Sequence, residues 1–239
     1  MSTTLHHPAR RAALLTVGML LASGCAGGLL PRPAAPPLRY TLGETPLEAP
    51  NRAAPGSAPT SPPRPSLVVA APTAAPGFES TRMVYLLQPQ VLQAYAYAEW
   101  AEPPARLLAP LLVRALQQTG AFLAVLQAPS AASGGLRLET ELLRLQHEHT
   151  QRPSALRLTL RAVLIDTGTR QALATRVFDT RWPATIDNPA GGAAAAAAAT
   201  QALLAELAAY VAGYVTADVA AAAAAPAVPG AEGAARREP

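Results

Sequence analysis

Few side chains in this sequence have a type and placement suited to chemistry. Cys25 is the single cysteine in 239 residues and closes the run Leu20-Leu21-Ala22-Ser23-Gly24. A lone thiol closes no intramolecular disulfide and builds no thiolate zinc site, so it offers one nucleophile for covalent modification. His147, Glu148 and His149 alternate. Residues two apart on a strand project to the same side, so the two imidazoles would stand together as a chelating pair. A structural zinc site takes four ligands, and no other His or Cys follows Cys25, so no metal is expected. The trio adjoins a hairpin turn, where solvated residues are expected. Glu99 and Glu102 flank Trp100 at a strand-to-helix junction, where carboxylates serve capping or surface charge more often than acid–base work. There is no Gly-x-Ser-x-Gly elbow, phosphate-binding glycine loop or His-Glu-x-x-His. The residues therefore point away from an enzyme and call for no cofactor.

What precedes Cys25 gives that thiol a role. His6, His7, Arg10 and Arg11, then an apolar run over 12–22, then Ala22, Ser23 and Gly24, have the layout of a secretory signal peptide over 1–24. The run is too short for a permanent span, which takes about 20 apolar residues. Small residues directly before a cysteine resemble the bacterial lipobox, with Ala22 where leucine is commoner. That resemblance implies a thioether-linked diacylglycerol on Cys25 and an acylated new N-terminus, with palmitate the type of chain added. At about 0.8 kcal/mol per buried methylene, three acyl chains hold a protein on a membrane without a spanning helix. Ala26, rather than aspartate, follows the cysteine and by analogy favours the outer membrane. The plainer reading is an ordinary signal peptide followed by an incidental thiol.

All nineteen basic residues are arginine, against fifteen acidic ones, and loss of Arg10 and Arg11 with the leader lowers the formal charge from +4 to +2. No basic cluster with interleaved aromatics occurs, so a nucleic-acid partner is not expected. Proline, alanine and glycine dominate residues 31–65 and cannot bury enough apolar surface to offset ordering. Residues 25–66 therefore read as a disordered tether carrying the lipidated cysteine, interrupted by a strand-like segment over 38–42.

The ordered domain is expected over 67–219, before a disordered Ala/Pro/Gly tail over 220–239. Short strands are predicted over 67–70, 82–87 and 91–97. In the third, alternation puts Tyr95 and Tyr97 on one face and Ala94, Ala96 and Ala98 on the other. Pro103 and Pro104 suit a first helical turn, and Leu107, Leu108, Leu111, Leu112 and Leu116 recur at helical spacing up to Gly120. Pro110 falls inside this pattern and is expected to kink the helix or move its start downstream. Strands over 121–126, 135–147, 154–166 and 171–182 follow, the last three as consecutive antiparallel partners. Leu156, Leu158, Leu160, Ala162 and Leu164 share the core face, while Arg157 and Arg161 meet water. Asn188-Pro189 opens a closing helix whose stripe is Leu203, Leu207, Tyr210, Val211 and Tyr214. The fold class is α+β: an antiparallel sheet with two helices packed on one face, preceded by a disordered tether.

Residues 77–126 resemble the ABC-type transport auxiliary lipoprotein family of the PqiC type. The resemblance rests on Arg82 to Tyr85, the aromatic strand after it, Trp100-Ala101-Glu102-Pro103, and a Leu-rich helix that ends before a strand. Arg39-Tyr40-Thr41-Leu42 stands where that family has its first strand. The long proline-rich insertion and the Ala-rich last helix depart from the pattern. The resemblance implies a periplasmic subunit, lipid-anchored through Cys25, of an ABC transporter with an MCE-domain protein, moving lipids between the inner and outer membranes. Its partners would be the MCE-domain protein, the membrane and further copies of itself. Tyr95, Tyr97 and Trp100 are the candidate partner interface, since aromatics concentrate binding energy. Against that stands the plain alternative that they pack the sheet on the helix. The competing functional class is an outer-membrane lipoprotein that activates or assembles a cell-wall synthase or a barrel component.

Overall fold

The computed structural model describes residues 35–43, 64–130 and 134–224, with side chains described up to residue 217. Cys25, the signal sequence, most of the proline-rich stretch and the last residues lie outside these. The chain divides into two compact units, and all elements below belong to the second, Pro37–Pro239.

The organising element is the long strand β7, Leu136–Glu148. Its thirteen residues span roughly 44 Å, long enough to offer one edge to several short strands in succession. On its other edge it pairs antiparallel with β8, Ala155–Asp166, which pairs antiparallel with β9, Ala172–Pro183. The successive edge strands are β2 (Ser66–Val69), β3 (Thr73–Ala74) and β4 (Arg82–Leu86), all parallel to β7. The sheet forks there. β6 (Ala124–Gln127) joins β2 in parallel; β5 (Leu92–Trp100) joins β4 antiparallel, and β1 (Leu38–Tyr40) lies parallel on β5. The antiparallel part of this open nine-stranded sheet is thus the β7–β8–β9 meander and the β4–β5 hairpin. The two-residue β3 has too little alternation to be read from sequence.

Two helices, α1 (Pro104–Gln118) and α2 (Pro189–Ala224), cover one face. Leu156, Leu158, Leu160, Ala162 and Leu164 of β8 are all buried beneath them, as their alternation predicts. Pro104 fills the first position of α1, where a missing N–H costs nothing. Leu108, Leu112 and Leu116 are fully buried. Gly120 ends the helix at φ +64, a backbone conformation natural to glycine. Pro110 does not move the start: α1 runs through it, because its ring lies on the exposed side while Leu108 and Leu112 hold both flanking turns in the core. In α2, Asn188 Oδ1 accepts the Gly191 N–H at 2.9 Å, the expected cap. Leu203, Leu207 and Val211 are buried, flanked by the half-buried Tyr210 and Tyr214. Residues 189–217 are long and apolar enough to cross a membrane by composition, yet half of that stretch is buried against the sheet and α1.

The opposite face of the meander is a ladder of charge. Arg157 pairs with Asp179 at 2.8 Å, Arg161 with Glu141, and Arg181 with Glu148 at 2.5 Å. The Arg157 and Arg161 side chains keep 38% and 50% of their surface, so this face meets water.

Candidate functional site

β4, β7 and β9 end, and β5 and α2 begin, at one end of the sheet, as Tyr85↔His147 and Leu156↔Trp182 register shows. Two features meet there: a histidine–tyrosine relay and a group of exposed apolar side chains.

The relay is centred on Tyr95. Its hydroxyl lies 3.0 Å from His147 Nδ1 and 2.8 Å from His149 Nε2. The two imidazole centroids are 4.0 Å apart, and the Tyr95 ring stacks on Tyr85 at 4.4 Å. On its other nitrogen, His147 Nε2 is 2.9 Å from Ser154 Oγ, which in turn donates to the Asp187 carboxylate. The direction of these bonds follows from the end of the chain. An ionised carboxylate only accepts, so Ser154 donates to Asp187 and accepts from His147 Nε2–H. Neutral His147 then accepts at Nδ1 from Tyr95, and Tyr95 accepts from His149 Nε2–H.

Burial sets the protonation. His147 is 1% exposed, and its pKa is pushed down to about 4, chiefly by desolvation and next by the neighbouring His149, with Asp187 opposing. Burial also raises the Tyr95 hydroxyl, followed by Tyr85 and Asp187. The Ser154 hydroxyl holds the Asp187 carboxyl below its usual range. The trio at 147–149 is therefore not a solvated turn edge as the sequence suggested. The first turn of α2 covers it: a Cβ at Gly192 would stand 2.6 Å from His147 Nδ1, so only glycine lets the helix start so close.

Ser154, His147 and Asp187 thus come together, but their wiring is not that of a nucleophile and base. The carboxylate touches the serine instead of the imidazole, the serine is 1% exposed, and the second imidazole nitrogen is occupied by Tyr95. Among the described residues no group of three or more His, Cys, Asp and Glu side chains is placed to hold a metal. Tyr85 enters the sequence reading only within the Arg82–Tyr85 strand pattern, and Ser154 and Asp187 not at all, because single residues far apart in the chain carry no periodic signal.

The three aromatics read as an interface part company. Between Arg82↔Glu99 and Val84↔Ala94 the register shifts, two steps on β4 matching five on β5. The bulge breaks the two-residue alternation, so Tyr95 does not share the fate of Tyr97. Tyr95 is half-buried in the relay, and Tyr97 is 69% exposed. Trp100 is 2% exposed within the hydrophobic core and offers no surface to a partner, which corrects its place in the expected interface. Glu99 pairs with Arg39 at 2.9 Å and Glu102 with Arg106 at 3.2 Å, the surface charge expected of them. Cys25 lies outside the described residues.

The exposed group consists of Leu87, Val91 and Leu92 at the β4–β5 turn, with Trp182 and Ile186 where β9 leads into α2. These are five of the nine large hydrophobics exposed among the described residues, gathered at one end.

A family model for the ABC-type transport auxiliary lipoprotein component matches residues 41–212, which include every element but β1 and the last turns of α2. The chain belongs to this family. The auxiliary lipoprotein is similar to a Xanthomonas campestris protein of the DUF330 family, whose crystal structure is 26% identical in sequence, covers 77% of this chain and 95% of that one, and superposes with a TM-score of 0.60. A second crystal structure, of an uncharacterized protein, shares the fold at 15% identity, covers 74% of this chain and 99% of that one, with a TM-score of 0.56. No curated protein matches. Membership makes the chain a lipoprotein component of an ABC transport system, membrane-anchored in the cell envelope.

Proposed function

We propose that this auxiliary lipoprotein is the periplasmic subunit of an MCE-type ABC system that moves lipids between the inner and outer membranes. Cys25 would carry the acyl chains, palmitate among them, on the periplasmic face of the outer membrane, and the sheet domain would meet the MCE-domain protein. The family match over 41–212 is the observation that carries this reading, since it ties the domain itself, and not only the leader, to ABC transport.

Tyr97 is the contact residue this reading retains, being 69% exposed on β5 beside the Arg39–Glu99 pair. A photo-crosslinking amino acid placed at position 97 in the native host is expected to yield an adduct with the MCE-domain protein, identified by mass spectrometry. An adduct with a cell-wall synthase or a barrel-assembly component would instead favour a lipoprotein that assembles another envelope machine.

A further inference from the structure

We infer that the groove between α1 and α2 holds one acyl chain of a lipid with an anionic head, with Thr200 and Arg114 receiving its oxygen-bearing end. The inference deepens the lipid-transport reading and rests on it.

The dimensions of the groove select the kind of ligand. Leu111, Ala115 and Gln118 of α1 and Thr200, Leu204 and Ala208 of α2 line a cavity of about 720 Å³. Its α2 wall runs from Ala197 to Ala209, which at 1.5 Å per residue is roughly 18 Å. Over that length the cavity has a cross-section of about 40 Å², or about 7 Å from wall to wall. An α-helix with its side chains is about 10–12 Å thick and is too wide. An extended peptide would leave its N–H and C=O groups unpaired there, because the peptide groups of both walls are spent inside their own helices. An acyl chain needs no hydrogen bonds along its length. One leaflet of the hydrocarbon core, about 15 Å deep, sets the reach of such a chain and matches the groove. Ala205 and Ala209, exposed on the α2 wall, keep that wall smooth.

A cleft between small residues is by itself only a gap in packing, and Thr200 makes it a site. Thr200 is 1% exposed, stands in one i, i+4 row with Leu204 and Ala208, and its Oγ1 has no hydrogen-bond partner. A buried hydroxyl left unpaired costs the fold more than valine in its place would. Donation to an ester or carboxylate oxygen of a ligand would satisfy it. Arg114 lines the groove from α1, and its guanidinium carries five N–H donors, enough to hold an anionic headgroup beside its other contacts. A mostly apolar cleft with a few convergent polar groups is the usual form of a small-ligand site.

The test uses the full mature lipoprotein in vesicles, mixed with palmitic acid or lysophosphatidylglycerol, each with a diazirine on its acyl chain and each below saturation. After illumination, mass spectrometry is expected to find adducts on the α1 and α2 residues that line the groove. Labelling by the fatty acid alone identifies a carboxylate head, and labelling by the lysophospholipid a phosphate head; either supports the inference. Ala205→Trp, at an exposed position, is expected to fill the groove, keep the melting temperature and cut the labelling there at least about tenfold. Thr200→Val is expected to cut it about fivefold, the worth of one hydrogen bond, while raising the melting temperature. A merely structural hydroxyl would move the melting temperature alone. No groove labelling by either probe would overturn the inference, which is also the result if another part of the chain closes the cleft. Labelling that survives Ala205→Trp or Thr200→Val would overturn it too. Recovery of partners from native membranes reads the transport hypothesis separately. An unlabelled groove in a protein that brings down the MCE-domain protein overturns the inference alone, whereas a labelled groove without that partner overturns the transport reading and supports acyl-chain binding.

Discussion

At the scale of single residues, the relay through Tyr95 ties together side chains distant in the sequence. Five polar side chains from β5, β7, the β7–β8 turn and the β9–α2 loop are joined in one directed set of hydrogen bonds. Such a set stabilises only while every member is satisfied, and its weak point is the buried imidazole of His147. An unfolded histidine titrates near 6.5, whereas folded His147 titrates at about 4. Between those values the unfolded chain binds a proton that the folded chain refuses. The contribution of His147 is therefore fully present above pH 6.5 and is lost as pH falls through 6.5 to 4. The loss is on the order of 2–3 kcal/mol. Urea melts across this window should show that slope, and His147→Gln should flatten it even though the variant is less stable at pH 7. The depressed carboxyl of Asp187 acts in the same sense at still lower pH. An unchanged slope in the variant would place the titrating group elsewhere.

At the scale of elements, the contact between the first turn of α2 and the end of β7 ties the helix layer to the relay. Gly192 makes room for the His147 ring, and a methyl there would overlap Nδ1. Gly192→Ala is expected to cost about 1–3 kcal/mol through this overpacking, read as a lower urea midpoint at unchanged slope. An unchanged midpoint would show that the helix start can slide. Much of this level was legible in the sequence. The alternation of Leu156 to Leu164, the prolines opening α1 and the Asn188-Pro189 start of α2 each signal their element by a local rule, and local rules survive folding. What escaped depended on partners distant in the chain. The bulge in β5 separates Tyr95 from Tyr97, because β4 matches five steps of β5 with two of its own. Trp100 reads either as a partner contact or as packing of the sheet on the helix, and its burial in the core, with β1 paired along its strand, makes it packing. The trio at 147–149 reads as a wet turn until α2 lands on it. Ser154 and Asp187 follow no spacing rule at all, being brought to His147 by the hairpin and by the loop before α2.

At the scale of the whole molecule, the family assignment and the layout of the sheet reinforce one another. The helices cover one face of the meander, and its broad outer face is charged. Five of the nine large hydrophobics exposed among the described residues gather at one end of the sheet. Tyr97, exposed on β5, is the aromatic that the proposed reading offers to a partner in the periplasm. The central claim is that this partner is the MCE-domain protein of an ABC transporter. The most direct measurement is recovery of the tagged, full-length lipoprotein from native-host membranes, with quantitative mass spectrometry of what accompanies it, for wild type and Cys25→Ala. The account predicts that an MCE-domain protein and its ABC ATPase come with the wild type from the outer-membrane fraction, and that Cys25→Ala is found in the soluble periplasm. Recovery of a cell-wall synthase or barrel component in their place, or unchanged membrane attachment of Cys25→Ala, would contradict it.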